Sequence, residues 1–337
     1  MDSLSQLALG ASVGYAVAGR QHGARAAVVG GLMGTLPDLD VLVRYQDPVA
    51  QMTYHRSWSH SLFWLTLAAP LCWWLAKRWP TLRDAGMPLL LAIWLALVTH
   101  PLLDAFTVYG TQLWQPFSDH PVSIGSVFII DPVVWLLLAS ALWPVVRSAP
   151  VEQGRQRASI LLGGLALYLA LSVTLQSTQE QRLMASLPTT LAAESTGKAL
   201  PTPFNTLRFR LLARDQATLC EQFVFIWQAP RDDAWHCRAL GVDLLRALAS
   251  HWPVQRLYWF SHGWVVTDRV EDEVIIRDVR MGIPTDYLFS FVVATVIATT
   301  VVPTETRQLP PSRRALSNWR RAYAIDDGDM TQDHPLQ

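Results

Sequence analysis

The sequence predicts an α-helical integral membrane bundle of about six helices, the first two short, followed by a smaller α+β extracytoplasmic domain. Two observations carry this reading. The 337 residues are 51% hydrophobic and 16% charged, with 15 Trp, too apolar for an ordinary soluble domain of that size. The apolar residues also gather in the first half of the chain, in runs at 4–18, 24–36, 62–79, 87–103, 129–146 and 160–175.

The last four runs approach the roughly 20 residues that a bilayer crossing needs. The first two are shorter and carry Gly10, Gly14, Gly30, Gly31 and Gly34. Small residues let helices approach closely, so these two runs are expected to form an internal hairpin. Orientation follows from the basic residues of the short loops. One side collects Arg20, Arg25, Lys77, Arg78, Arg83, Arg147, Arg155 and Arg157; the other holds only Arg44 and Arg56 before the last run. The first side is then cytoplasmic, with the N-terminus and everything after Leu175 outside. The N-terminus lacks the basic segment of a cleavable secretory signal.

Composition changes after Gln176, which sets expected boundaries at 1–178 for the helical domain, 179–200 for a linker, 201–325 for the α+β domain and 326–337 for a disordered tail. Residues 209–211 and 223–227 read as strands, and 240–250 as a short amphipathic helix. Residues 264–269 and 273–278 flank Val270-Glu271-Asp272 as a hairpin. The run 287–302 is nearly long enough to span, and the basic stretch 313–321 after it would suit a seventh crossing. Its Val, Ile and Thr content favours buried strand instead.

Composition also excludes some functions. A formal net charge of zero gives no basic field for nucleic acid. The three cysteines form no CxxC pair, which argues against a thiolate zinc site. Cys72 reads as a small buried hydrophobe. Cys220 and Cys237 can pair if their domain lies in an oxidising compartment, a question that spacing leaves open.

Chemistry concentrates at the ends of the apolar runs that the orientation places outside. Four segments carry it: Gly34-Thr35-Leu36-Pro37-Asp38-Leu39-Asp40, His55-Arg56-Ser57-Trp58-Ser59-His60-Ser61, His100-Pro101-Leu102-Leu103-Asp104 and Ile130-Asp131-Pro132. An ionisable group at membrane depth costs several kcal/mol unless paired, metal-bound or facing water. His100 and Asp104 are i and i+4, one helical face. Asp38 and Asp40 flank Leu39 in a turn, and paired carboxylates repel unless a cation or proton lies between them. Each segment has a plainer reading alone: a helix-end His, solvated turn acids, serines 59 and 61 as helix caps, and Arg56 on a lipid headgroup. Together, Asp and His suit zinc or a similar hydrolytic divalent ion, one or two in number. The candidate ligands are Asp38, Asp40, His55, His60, His100 and Asp104. Asp38 or Asp40 could act as general base, and Arg56 could hold a phosphate or carboxylate. Tyr109 and Asp131 are placed behind the ligands or against substrate.

On these residues the chain resembles the membrane-bound, metal-dependent hydrolases of the YdjM-like inner-membrane family. The likeness runs through Met1-Asp2-Ser3-Leu4-Ser5-Gln6, the four segments above, Asp47-Pro48, Thr107-Val108-Tyr109-Gly110-Thr111-Gln112-Leu113 and Pro116-Phe117-Ser118. It covers most of 1–175 and continues more weakly through Pro203–Leu207 and Asp278–Gly282. It implies a bacterial inner-membrane hydrolase. Some relatives carry His where Gln6 stands; Gln6 is a poor zinc ligand and is expected behind the ligands instead. Many relatives have a small residue after the His-Arg pair, where this chain has Ser57 and then Trp58.

The leading expectation is therefore a membrane-bound metal-dependent hydrolase with its site at the outer face. Its partners would be membrane lipids, and a lipid-related ester or phosphoester its substrate by location. Two rivals stand against it. An ion- or proton-coupled transporter predicts ionisable groups spread across the membrane; a non-catalytic stress-response membrane protein predicts lost ligands.

Overall fold

Asp2 caps the first helix by accepting from the Ser5 amide, so α1 (Ser3–His22) begins at the chain's third residue. The computed structural model describes residues 1–192, 194–284 and 286–310; the basic stretch 313–321 and the tail from 326 lie outside them. The chain divides into two compact units. One comprises Met1–Tyr45, Gln51–Gln179 and Ala199–Arg210, and the other Gln46–Ala50, Glu180–Lys198 and the chain from Leu211 onward.

In the first unit α1 turns at Gly23 (φ 53°) into α2 (Ala24–Thr35). The expected hairpin forms because its glycines let the two backbones touch. A Cβ on Gly10 would lie 2.2 Å from the Gly30 carbonyl oxygen, and one on Gly34 would lie 2.5 Å from the Gln6 carbonyl oxygen. A 3-10 turn (Pro37–Leu42), α3 (Pro48–Tyr54) and a second 3-10 turn (Trp58–His60) follow. Ser61 then caps α4 (Leu62–Ala76) through the Trp64 amide. Next come α5 (Met87–Ala105), α6 (Pro132–Val146) and the long α7 (Val151–Ala185). Helix α5 is the core: Leu89, Ala92, Ile93 and Leu97 are buried against Leu65 and Ala69 of α4 and Ala26 and Val29 of α2.

The expectation of about six membrane helices needs correction. Among the described residues two helices, α5 and α7, are long and apolar enough to cross a membrane. Helices α4 and α6 have 15 residues each, about 22 Å at 1.5 Å per residue, short of a hydrocarbon core of about 30 Å. The apolar runs 62–79 and 129–146 are longer than the helices inside them. Arg78, Trp79 and Pro80 follow α4 in a turn, and α6 cannot begin before the cap Asp131. The outer faces are nevertheless apolar. Leu67, Leu71 and Trp74 on α4, Leu136 and Val146 on α6, and Ile160 and Leu167 on α7 are all exposed, far more apolar surface than an aqueous protein leaves open.

Two antiparallel sheets follow. The first joins β1 (Thr196–Pro201), β2 (Arg208–Arg214), β3 (Thr218–Phe225) and β4 (His236–Ala239) in sequence order. Cys220 sits directly opposite Cys237 across β3 and β4, and the two form a disulfide. Helices α8 (Val242–Ala247) and α9 (Trp252–Phe260) lead into the second sheet. That sheet runs β5 (Val265–Val270), β6 (Glu273–Ile283), β7 (Asp286–Ile297) and β8 (Thr300–Gln308). The run 287–302 is strand, as its β-branched content suggests, with a turn at Ala298 (φ 58°). Its span-like hydrophobicity has a simple cause: Phe291, Val292, Val293 and Ala294 are buried consecutively, so both faces of β7 are covered.

Candidate metal centre

The glycine-packed hairpin delivers two groups to one place. Gln6 comes from the first turns of α1, and the Gly34 carbonyl from the end of α2. Helix α5 brings His100 and Asp104 on one face, and the two 3-10 turns bring Asp38 and His60. Among the described residues, Asp38, His60, His100 and Asp104 each offer a ligand atom within 4.8 Å of the others. His60, His100 and Asp104 have no exposed side-chain surface, whereas 17% of the Asp38 side chain is open. Asp38 therefore forms the accessible edge.

The hydrogen bonds around the imidazoles decide which nitrogens face inward. His100 Nδ1 lies 2.6 Å from the Gly34 carbonyl oxygen. A carbonyl can only accept, so a proton sits on Nδ1, and in the neutral ring Nε2 turns a lone pair to the centre. His60 is held by a relay. The Ser59 hydroxyl donates to Asp40 Oδ2 at 2.6 Å, leaving its oxygen to accept from His60 Nδ1 at 2.9 Å. His60 Nε2 thus also presents a lone pair, 3.1 Å from that of His100. Asp104 Oδ2 lies 3.3 Å from His60 Nε2 and 3.5 Å from His100 Nε2. Asp38 Oδ1 is 3.4 Å from each. Asp104 Oδ2 is fully buried and accepts no hydrogen bond.

Four electron-rich atoms converge here, with the Arg56 guanidinium 3.2 Å from one of them, Asp104 Oδ2, and such a convergence fits a cation. The spacing agrees: a tetrahedral ion with bonds of about 2.0–2.1 Å separates its ligands by about 3.3–3.4 Å, against 3.1–3.5 Å between the two imidazoles and from each of them to Asp38 and Asp104. Asp40 and His55 stand beside this group rather than in it. Asp40 accepts from the Arg56 amide at 3.0 Å and contacts His55 Nδ1 at 2.8 Å as well as Ser59. Burial works against its charge, yet the His55 ring and the Ser59 hydroxyl hold its carboxyl below the ordinary range.

Arg56 takes a left-handed backbone conformation (φ 63°), a cost of about 1–2 kcal/mol for a side chain with a Cβ. That conformation lets its amide serve Asp40 while its buried guanidinium reaches Thr107 Oγ1 and lies 3.2 Å from Asp104 Oδ2. Tyr109 supports it: the ring lies 4.9 Å from the guanidinium, and the hydroxyl donates to the Met52 carbonyl. Gln6 Nε2 donates to Asp104 Oδ1 and to the His100 carbonyl, and the Met1 amino group ion-pairs with the same Oδ1. Asp131 lies elsewhere in its bonding: it caps α6 and accepts from the Tyr168 hydroxyl at 2.7 Å. Sequence reasoning missed the role of Ser59, since a serine three residues before a helix reads as a cap; Ser61 takes that role instead.

Fold and site together define a helical membrane protein with a buried His/Asp cluster suited to a metal ion. The comparisons with known proteins name its family. The model for the YdjM inner membrane protein family matches residues 1–180, and the chain belongs to that family. The chain is also 30% identical over 129 residues to the uncharacterized protein YfhP of Bacillus subtilis (strain 168). That match covers 36% of this chain and 37% of the relative, little more than a third of each. No solved structure matches the chain.

Proposed function

We propose that the chain is a membrane-bound metal-dependent hydrolase whose ion, zinc or a close equivalent, is held by Asp38, His60, His100 and Asp104. The observation that carries this reading is the pair of Nε2 atoms 3.1 Å apart beside two carboxylate oxygens, Asp38 Oδ1 and the fully buried Asp104 Oδ2, each within 3.5 Å of both. Held by these four residues, such an ion would supply Lewis acidity towards an ester or phosphoryl oxygen and would lower the pKa of water. The protein's own residues do the rest. The Gly34 carbonyl and the Ser59–Asp40 relay hold both imidazoles in the ligating tautomer. Asp38, the ligand on the open edge, is the one placed to give up its position to water and then take a proton from it. Arg56, buried beside Asp104, counters negative charge that develops on the substrate.

The substrate is a lipid-related ester or phosphoester, since the family resides in the inner membrane. The chain is multi-pass, with the site and the second unit on the outer side. The bonded pair Cys220–Cys237 supports that side, because disulfides persist in oxidising compartments and are rare in the cytosol. The test is a screen of ester, phosphoester and amide lipids with purified protein loaded with zinc or manganese, using His60→Ala and His100→Ala as controls. Metal-dependent turnover absent from both variants supports the reading. Wild-type protein that binds metal but turns over no lipid in the screen removes the hydrolase and leaves a metal-binding membrane protein.

A further inference from the structure

The two turns that carry Asp38 and His60 are apolar where they meet the outside. In the first turn Leu39, Val41 and Leu42 are exposed, Leu42 by 74%, and Val43 follows. In the second, Trp58 is 54% exposed. The two turns pack against each other. In a turn bathed by water these positions gain nothing from being apolar. Leu39 and Val41 also alternate with Asp38 and Asp40, whose carboxylates point inward to the imidazoles. A turn with acids inside and aliphatic side chains outside is built to place a polar centre against an apolar medium.

What covers these side chains follows from what they adjoin. Trp58 is four residues from Leu62, where α4 begins, and the exposed apolar face of α4 continues through Phe63, Trp64 and Leu67. Phe63 in turn packs edge-on against exposed Phe117, ring centroids 5.2 Å apart. The exposed apolar face of α4 therefore adjoins the second turn, which packs against the first; exposed Arg44 follows Val43 at the far end. Asp38, the partly exposed member of the cluster, directly precedes exposed Leu39 in the first turn.

We propose that Leu39, Val41, Leu42, Val43 and Trp58 form a collar immersed in the acyl chains of the bilayer, so that substrate reaches the Asp38 edge laterally from the lipid and not from water. The collar rests on the reading of the site as hydrolytic only for the word substrate; its immersion in lipid stands or falls by itself. The partner chemistry is a lipid acyl chain. Burying Leu42 and its neighbours among such chains returns about 25 cal/mol per Å² of apolar surface, and Trp58 suits the boundary between chains and headgroups.

The test reads depth without turnover. In a Cys72→Ser background, single cysteines at Leu42, at Leu167 on the lipid-facing side of α7 and at Asp243, an exposed acid, are nitroxide-labelled and reconstituted into phosphatidylcholine–phosphatidylglycerol vesicles. Oxygen, which partitions into lipid, and a water-soluble nickel chelate then compete as relaxants. The label at 42 is expected to resemble that at 167, with the oxygen effect at least threefold above the nickel effect. A label at 42 that responds like the one at 243 overturns the collar. A repeat at Val41 guards against a local effect of one label. A deep label in a protein that hydrolyses no lipid leaves the collar standing and removes only the hydrolase reading; a shallow label in an active enzyme does the reverse.

Discussion

Replacing Ser59 by alanine isolates the relay that orients His60. The hydroxyl makes two hydrogen bonds, 2.6 Å to Asp40 and 2.9 Å to His60 Nδ1. Without it Asp40 Oδ2 lies 3.7 Å from Nδ1, too far to hydrogen-bond but near enough that a small shift restores a direct partner for the Nδ1 proton. Loss of an outer partner of a ligating histidine costs about 10- to 100-fold in metal affinity, or on the order of 1.4–2.7 kcal/mol. That nearby replacement acceptor places Ser59→Ala near the tenfold end. Ser59→Thr keeps the hydroxyl and should stay near wild type. Asp40→Asn, which removes the charge behind the relay, should lose at least as much as Ser59→Ala. The assay is competition with a chromophoric chelator in detergent, with circular dichroism to confirm that each variant keeps its helices. A folded Ser59→Ala protein that binds metal as tightly as wild type refutes the relay.

Three further outcomes are expected. Gly34→Ala places a Cβ 2.5 Å from the Gln6 carbonyl oxygen and must shift the Gly34 carbonyl that holds His100; metal affinity should fall at least tenfold, and unchanged affinity would separate hairpin packing from the site. Lys198 is lowered to about 8 by burial and then by Arg280, against the pull of Glu180 and Asp278. Its folded form therefore binds fewer protons than the unfolded chain above about pH 8, so stability rises with pH up to the ordinary lysine range. Lys198→Met should flatten that rise and stabilise most at neutral pH, as read from unfolding midpoints across the window; an unchanged slope contradicts the buried cation. Finally, a membrane-impermeant maleimide applied to intact cells should label Cys220 and Cys237 only after mild reduction. Labelling that requires lysis would put the second unit in the cytoplasm.

Much of this site was legible because its parts obey local rules. The i, i+4 spacing of His100 and Asp104 fixes their common face whatever surrounds α5, and Pro37 predicts the turn that presents Asp38. Gln6 was singled out, and it does touch Asp104 Oδ1. What sequence could not give was the division of labour among six similar residues. Asp40 and Asp38 are two positions apart, yet one faces the imidazole Nε2 atoms and the other a serine, an amide and His55. That choice depends on where the His55–Ser61 loop lies, which is a long-range matter. Helix lengths were misjudged for a related reason. Hydropathy reports apolar surroundings, and these extend past Ala76 and before Pro132 into loops that carry no helix. In β7 the same ambiguity arose, and the β-branched residues resolved it.

Bound metal in the purified protein tests the central claim most directly. Wild-type chain and His100→Ala, extracted in detergent and passed through the same chelating column, are analysed by elemental mass spectrometry after exposure to equimolar zinc. The cluster of Asp38, His60, His100 and Asp104 predicts close to one ion per wild-type chain and little in the variant, with His22→Ala retaining the wild-type value. Equal metal in wild type and His100→Ala, or none in either, would contradict the account.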